Sequence, residues 1–290
     1  MIASFPRAML SILRCPADGG ALVSAEGDDP RCERCHRSFE TDGPVMRMGL
    51  QGLHEESEHE RRLRDAEAAR HPEPAWDSPG DAMEIDAMLE ALRLQPGHRV
   101  LELGAGRGRF TSQLAQAGAE VVAVDISLRS LHAAARRLAS DRVALLHGDA
   151  TRPLVAAGSF DRVLGTLTSN LPDRASRQAS YRVASEALKP EGVFVCSTHY
   201  LGLRARLDGE AREARYTDGG IYRYLLTEKE VVGEAAPFFA RVRVRPICVV
   251  LPFAHRLRLP IPAVDRVARR VPGLRAFGTL LLVEATVPHR

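Results

Sequence analysis

The sequence predicts an α/β fold: a mostly parallel sheet with helices on both faces, preceded by a small cysteine-bearing module. Three observations carry this. From about residue 82 onward, apolar strands alternate with segments of helical period. One of those strands runs through the closely spaced Gly104, Gly106 and Gly108 into a helix start. Near the beginning, Cys15, Cys32 and Cys35 cluster, whereas Cys196 and Cys248 lie inside apolar strands and read as buried core thiols. Alternating strands and helices require crossover connections, and these build parallel sheets covered on both sides.

Composition bounds the rest. A chain of 290 residues accommodates one large domain and a small one, and its 45% hydrophobic content suffices for a packed core. No run approaches the ~18 apolar residues of a membrane span. Pro6, Arg7 and Arg14 interrupt the first apolar stretch and no small-residue cleavage pattern follows, so a cytoplasmic location is expected. The net charge is +3, and the cations are arginines apart from Lys189 and Lys229. They are spread along the chain without the regional excess of a nucleic-acid footprint.

The elements follow in order. Residues 1–50 form the cysteine module. Residues 51–81 form a connector: acids and arginines alternate at helical spacing over 51–71, which predicts a solvated linker helix, and Pro72, Pro74, Pro79 and Gly80 break it. Residues 82–290 form the main domain. It opens with a helix marked by Met83, Ile85, Met88, Leu89 and Leu92, ending before Pro96 and Gly97. Strands are predicted at about 99–103, 120–125, 143–147, 160–167, 193–197, 241–250 and 278–286. Between them lie helices at about 109–117, from Ser127, from Asp173 to Leu188, and from Thr227, whose Glu230 completes a capping box. A basic helix near 263–271 precedes the last strand.

The glycine turn is where chemistry concentrates. Glycines let backbone approach a ligand, a helix N-terminus offers free N–H groups, and Asp125, ending the next strand, can take a ribose diol. A dinucleotide fingerprint wants its third glycine where Arg109 stands. Here it is Gly108, with Glu102 two residues before Gly104. This E-x-G-x-G-x-G followed by a strand ending in acid resembles motif I and the following acidic position of class I S-adenosylmethionine (SAM)-dependent methyltransferases. The resemblance extends over about 82–287. It implies a Rossmann-like seven-stranded sheet whose last strand inserts antiparallel between the fifth and sixth. It also implies that the segment from Glu102 through Gly104, Ala105, Gly106 and Gly108 wraps the methionine and ribose, that Asp125 binds the ribose hydroxyls, and that Ile126 packs on adenine. Asp149 and Ala150 match the contact to the adenine amino group, and Thr166 matches the segment beneath the sulfonium. Each of these also has a plainer reading: Asp149 as a turn cap, Ile126 as core, Thr166 as a strand filler.

Methyl transfer is an in-line displacement in which collinear positioning supplies much of the rate, on the order of 7–11 kcal/mol. A base is needed only where the acceptor must lose a proton. His199 and Tyr200, directly after the fifth strand at the ligand-binding edge, are the candidate catalytic side chains. Tyr216, Tyr222 and Tyr224 lie in a long insert that would make a lid or a packed surface loop. The segment 168–173 lacks the N-P-P-Y of enzymes methylating adenine or glutamine amino groups.

Residues 13–48 resemble zinc-ribbon modules fused to some bacterial methyltransferases. Where these usually carry a second cysteine, Asp18 stands. The expected structural Zn2+ ligands are Cys15, Asp18, Cys32 and Cys35, with His36 as a substitute for Asp18. The leading expectation is therefore a SAM-dependent methyltransferase acting on O or N of a small-molecule acceptor, such as a natural-product or cell-envelope intermediate. Alternatives are an rRNA or tRNA methyltransferase with the ribbon on RNA, and a non-catalytic partner-binding protein of the same fold. Arg256, Arg258, Arg266, Arg269 and Arg270, set beside apolar residues, would touch an anionic membrane or simply form a helix covering the sheet.

Overall fold

The computed structural model describes residues 4–25, 28–71, 73, 76, 78–138, 140–216, 220–251 and 260–289. Pro72, Pro74, Arg256 and Arg258 lie outside these, as does the side chain of Tyr216. A 3-10 turn (Arg7–Ile12) leads into the short strands β1 (Leu22–Val23), β2 (Arg31–Cys32) and β3 (Thr41–Asp42), then β4 (Val45–Gly49). Two helices follow, α1 (Glu55–Arg70) and α2 (Pro79–Leu92). Next come β5 (Arg99–Leu103), α3 (Arg109–Gln116), β6 (Glu120–Asp125), α4 (Leu128–Ala135), β7 (Val143–Gly148) and β8 (Phe160–Gly165). The second half holds α5 (Arg174–Ala187), β9 (Leu188–His199), α6 (Leu203–Leu207), β10 (Glu213–Tyr216), β11 (Ile221–Tyr224), α7 (Glu228–Ala235), β12 (Phe239–Val249), α8 (Ile261–Ala268) and β13 (Gly278–Pro288).

One sheet organises the molecule, in the order β12-β13-β9-β8-β5-β6-β7-β4-β3. β5, β6, β7, β8 and β9 pair in parallel. β13 runs antiparallel between β9 and β12, as the resemblance implied. The seven expected strands are thus present, and the sheet is longer than expected. β4 adds in parallel beyond β7, with Val45 opposite Leu145, and β3 pairs antiparallel outside it. The same sheet therefore runs through residue 50. The fifth strand is also longer than the expected 193–197: β9 begins at Leu188, where the preceding helix was expected to end, and its start is bulged, with the register shifting between Phe160 and Arg162 of its neighbour.

Two apolar layers flank the sheet. One joins α2, α3 and α4 through Met88, Leu92, Phe110, Leu114 and Leu131. The other joins α5 and α7 to the cysteine module, so that Leu13, Cys15, Phe39 and Met46 share a core with Leu146, Phe160 and Phe194. On this face Tyr181 meets Phe194 edge-on at 5.7 Å. A buried ion pair also ties α5 to α7: Arg177 Nη2 lies 2.7 Å from Glu234 Oε1.

Two elements differ in role from the sequence expectation. α1 is helical as predicted but packs on α4 instead of standing in solvent. Its Asp65 carboxylate accepts from Ser127 Oγ at 2.8 Å and from Arg129 N at 3.1 Å, at the start of α4. Pro79, expected as a breaker, is the first residue of α2, where its missing N–H costs nothing, and Ser78 caps that helix.

Candidate functional site

The parallel strands end together on one side, and the site is built there. β5 carries the chain to Gly104 and Gly106, both at positive φ (82° and 54°), where a Cβ would be strained. Gly104 N and Ala105 N both donate to Val124 O, which folds the loop over the end of β6. Asp125 completes the cradle. Its Oδ2 accepts from Gly106 N and its Oδ1 from Ser127 N, each at 2.7 Å. Each oxygen keeps a second lone pair for a ligand hydroxyl. Burial pushes this carboxyl up to about 6, against the lowering effect of the two N–H groups.

The remaining predicted cofactor residues separate into two sets. Gly104, Ala105, Gly106, Asp125, Ile126, Asp149, Ala150 and Thr166 all line one cavity of about 1000 Å³. Thr166 Oγ1 also donates to Gly104 O at 3.3 Å, bracing the glycine loop against β8. Asp149 Oδ1 accepts from Thr151 N and Oγ1, so it caps its own turn as well as facing the cavity. Glu102 and Gly108 stand behind this wall. Glu102 is buried, accepts from Thr111 Oγ1 at 2.6 Å, and is pushed up to about 8 by desolvation. At Gly108 a Cβ would stand 3.0 Å from that of Ala134 and 3.2 Å from Leu138 Cδ1. This glycine lets α3 approach α4.

Several parts of the site carried no sequence signal. Glu60, Arg64 and Glu67 of α1 roof the cavity together with Trp76, whose ring stacks under the Arg137 guanidinium at 4.3 Å. Beneath the floor runs a buried polar chain. Leu167, at φ 49°, donates its N–H to Ser197 Oγ at 2.9 Å, and Ser197 Oγ donates to Glu84 Oε1 at 2.6 Å. Glu84 in turn pairs with Arg109 on the helix after the glycine loop. A left-handed leucine held this way is backbone strain fixed by its surroundings. It positions the segment after β8 beneath the loop.

Beyond Thr166 the cavity continues among His199, Leu225, Val250, Ile261 and Leu280. His199 lies within it, and burial followed by the nearby Arg223 charge pushes its imidazole down to about 4. It is therefore a neutral ring at physiological pH. Tyr200 also lines the cavity and donates from its hydroxyl to Glu228 Oε1 at 3.2 Å. In the insert, β10 and β11 form a hairpin; Arg223 and Leu225 line the cavity, while Tyr224 packs under the Arg177 and Arg212 guanidiniums.

The cysteine module brings all four predicted ligands together. One ligand atom from each of Cys15, Asp18, Cys32 and Cys35 lies within 4.8 Å of every other. The Cys15 and Cys35 sulfurs are 3.7 Å apart, near the ~3.8 Å edge of a tetrahedron with metal–sulfur bonds of about 2.3 Å. Asp18 Oδ1 is 3.3 Å from Cys32 Sγ. The N–H groups of Arg34 and Cys35 point at Cys32 Sγ, and a Cβ on Gly20 would collide with that sulfur at 2.6 Å, so the two loops close on a small shared centre. The donor set fits one zinc ion. His36 is exposed and outside the cluster.

Comparison with known proteins agrees with this geometry. Residues 100–192 match the family described as methyltransferase domain. Demethylmenaquinone methyltransferase of Mycobacterium tuberculosis is 38% identical over 111 residues, 38% of this chain and 45% of that protein. The match spans less than half the length of such curated relatives. A chain in the complex between the Haloferax volcanii Trm112 methyltransferase activator and a methyltransferase superposes with a TM-score of 0.55 at 19% identity, covering 79% of this chain and 98% of that one. The Burkholderia thailandensis 1,6-didemethyltoxoflavin-N1-methyltransferase superposes at 0.51 with 18% identity, over 91% and 97% of the two chains. Over residues 100–192 the protein thus matches a methyltransferase domain, and its fold is that of the superposed methyltransferases.

Proposed function

We propose that this protein transfers a methyl group from SAM to an O or N atom of a small-molecule acceptor. The observation that carries the reading is the continuity of the cavity, which runs from Asp125 past Thr166 to His199 and Leu280. Its volume of about 1000 Å³ lies at the upper end of small-molecule sites, roughly 300–1,000 Å³, so a cofactor and an acceptor fit together. Asp125 would hold the ribose hydroxyls by charged hydrogen bonds, Ile126 and Asp149 the adenine, and the 104–106 loop the methionine end. When bound, SAM supplies an activated methyl on a sulfonium. The chain supplies position: the loop, Thr166 and the strained Leu167 fix the reacting geometry. The neutral His199 offers an imidazole nitrogen that orients an acceptor O–H or N–H. The far chamber sets the aliphatic Leu225, Val250, Ile261 and Leu280 beside the polar His199, Arg204 and Arg223, and the curated relative is named for demethylmenaquinone; both favour a small organic acceptor. One zinc ion held by Cys15, Asp18, Cys32 and Cys35 would be structural, since its site lies in the module and no cluster ligand lines the cavity.

Calorimetric titration with S-adenosylhomocysteine tests the cofactor site. Asp125→Ala should weaken binding at least roughly tenfold, the loss of charge-assisted bonds worth about 1.5–3 kcal/mol. Unchanged affinity would remove the assignment.

A further inference from the structure

The described surface exposes eight large hydrophobic side chains, and five of them fall in two short segments: Leu203 and Leu207 of α6, then Val267, Val271 and Leu274. Leu207 is 70% exposed and Val267 is 65% exposed, the two highest values of the eight. The segments adjoin. Val267 lies in the last turn of α8, Val271 follows just past its end, and Leu274 begins a 3-10 turn (Leu274–Phe277) that packs against α6. Gly202, just before α6, approaches Ala276 so closely that a Cβ would stand 3.2 Å from its carbonyl oxygen. Scattered single aliphatics need no explanation, but a cluster of this kind marks a contact surface.

Charge tells what it contacts. Arg206 and Arg275 are exposed within the patch, both close enough to influence the Tyr200 hydroxyl, and neither has a carboxylate partner among the described residues. The arginines of α8 differ. Arg269 is buried against Asp86, Glu90 and Asp265, while Arg266 and Arg270 pair with Asp86 and Glu90. They clamp α8 to α2 and leave Val267 held outward on a fixed helix. A single-stranded nucleic acid would want aromatic platforms, and the exposed cluster is wholly aliphatic. Aliphatic side chains with Arg206 and Arg275 set among them match hydrocarbon beneath anionic headgroups.

We infer that the α6 and 267–275 surface docks on an anionic lipid bilayer. The same elements reach the cavity, for Tyr200, Arg204, Ala205 and Ile261 all line it. If the methyltransferase reading above holds, the acceptor is then a lipophilic molecule drawn from the bilayer.

The test is co-sedimentation of the full chain with vesicles of phosphatidylcholine alone and with about 30% phosphatidylglycerol, whose headgroup charge attracts basic residues at the surface. The wild type should pellet with the anionic vesicles at least tenfold more than with the neutral ones, and Leu207→Glu with Val267→Glu should lose roughly that factor. Equal partitioning to both vesicles, or binding that survives the two substitutions, would overturn the proposal. So would a solution dimer, or RNA binding, abolished by the same pair. Neither substituted residue lines the cavity. S-adenosylhomocysteine affinity measured alongside reports the cofactor site separately, so failure of docking and failure of the methyltransferase reading give different results. A matching thermal melt shows that the double variant is folded.

Discussion

At the scale of single residues, the cradle is an electrostatic compromise. Asp125 is buried enough to be pushed up to about 6, yet two backbone N–H groups keep it useful as an anion near neutrality. In the proposed complex the ribose hydroxyls would donate to the ionised form, so binding would favour loss of the proton. The sign follows: as pH falls below about 6 the free protein takes up a proton that the bound state rejects, and affinity drops. Titrations with S-adenosylhomocysteine from neutral pH downward should show affinity declining by up to about tenfold per pH unit below that point. Asp125→Asn should be weaker throughout and flat over the same range. His199 gives the opposite expectation. With its imidazole pushed down to about 4, it stays neutral across the range in which an ordinary histidine titrates. The pH profile of kcat should therefore lack a limb near 6.5, the ordinary histidine value. His199→Phe should lower kcat by about 100-fold with little change in cofactor affinity, the low end of what a hydrogen-bonding acid–base group supplies. The sequence showed Asp125, Gly104 and Gly106 because their spacing is itself the geometry. It did not show that Gly108 serves helix packing, since a glycine required by a ligand and one required by Ala134 look the same in one dimension.

At the scale of elements, legibility followed the hydrophobic pattern. The strands of the main sheet are apolar runs between turn residues and were readable. α1 was readable as a helix but not as a roof, because it attaches through charge. Arg61 pairs with Glu58 and Asp65 within the helix, Arg107 reaches Glu67 from the glycine loop, and Asp65 caps α4. None of these contacts leaves an apolar stripe. The α5–α7 contact shows a different use of charge. Arg177 and Glu234 are bonded at 2.9 and 2.7 Å with both side chains almost wholly buried. Glu234→Ala would strand a buried guanidinium and should cost about 3–5 kcal/mol of unfolding free energy. Urea melts should show it as a lower midpoint at unchanged slope. Arg177→Met with Glu234→Leu should recover most of the loss, which a role in binding alone would not predict.

At the scale of the whole molecule, the cysteine module is part of the sheet's own architecture. Leu13 bridges Val155, Arg14 N donates to Leu154 O at 2.9 Å, and Ala156 N donates to Ile12 O at 2.7 Å, just downstream of the Asp149 turn. Purified protein should carry about one zinc per chain, and stripping it with a chelator should lower the melting temperature of the entire chain in a single transition. Cys32→Ser should do the same without added chelator. Two separate transitions, with the methyltransferase part unaffected, would show the module to be independent. The sequence revealed the four clustered candidate ligands but not this fusion, because β3 and β4 are only two and five residues long and resemble the end of a loop. Their placement also bears on biogenesis. Val45 lies opposite Leu145, so when this edge emerges from the ribosome its neighbour has yet to be translated, roughly a hundred codons away. During that interval the β4 edge and the side chains of Met46 and Met48 lack the strand that covers them, so this corner of the sheet closes only after β7 has been made.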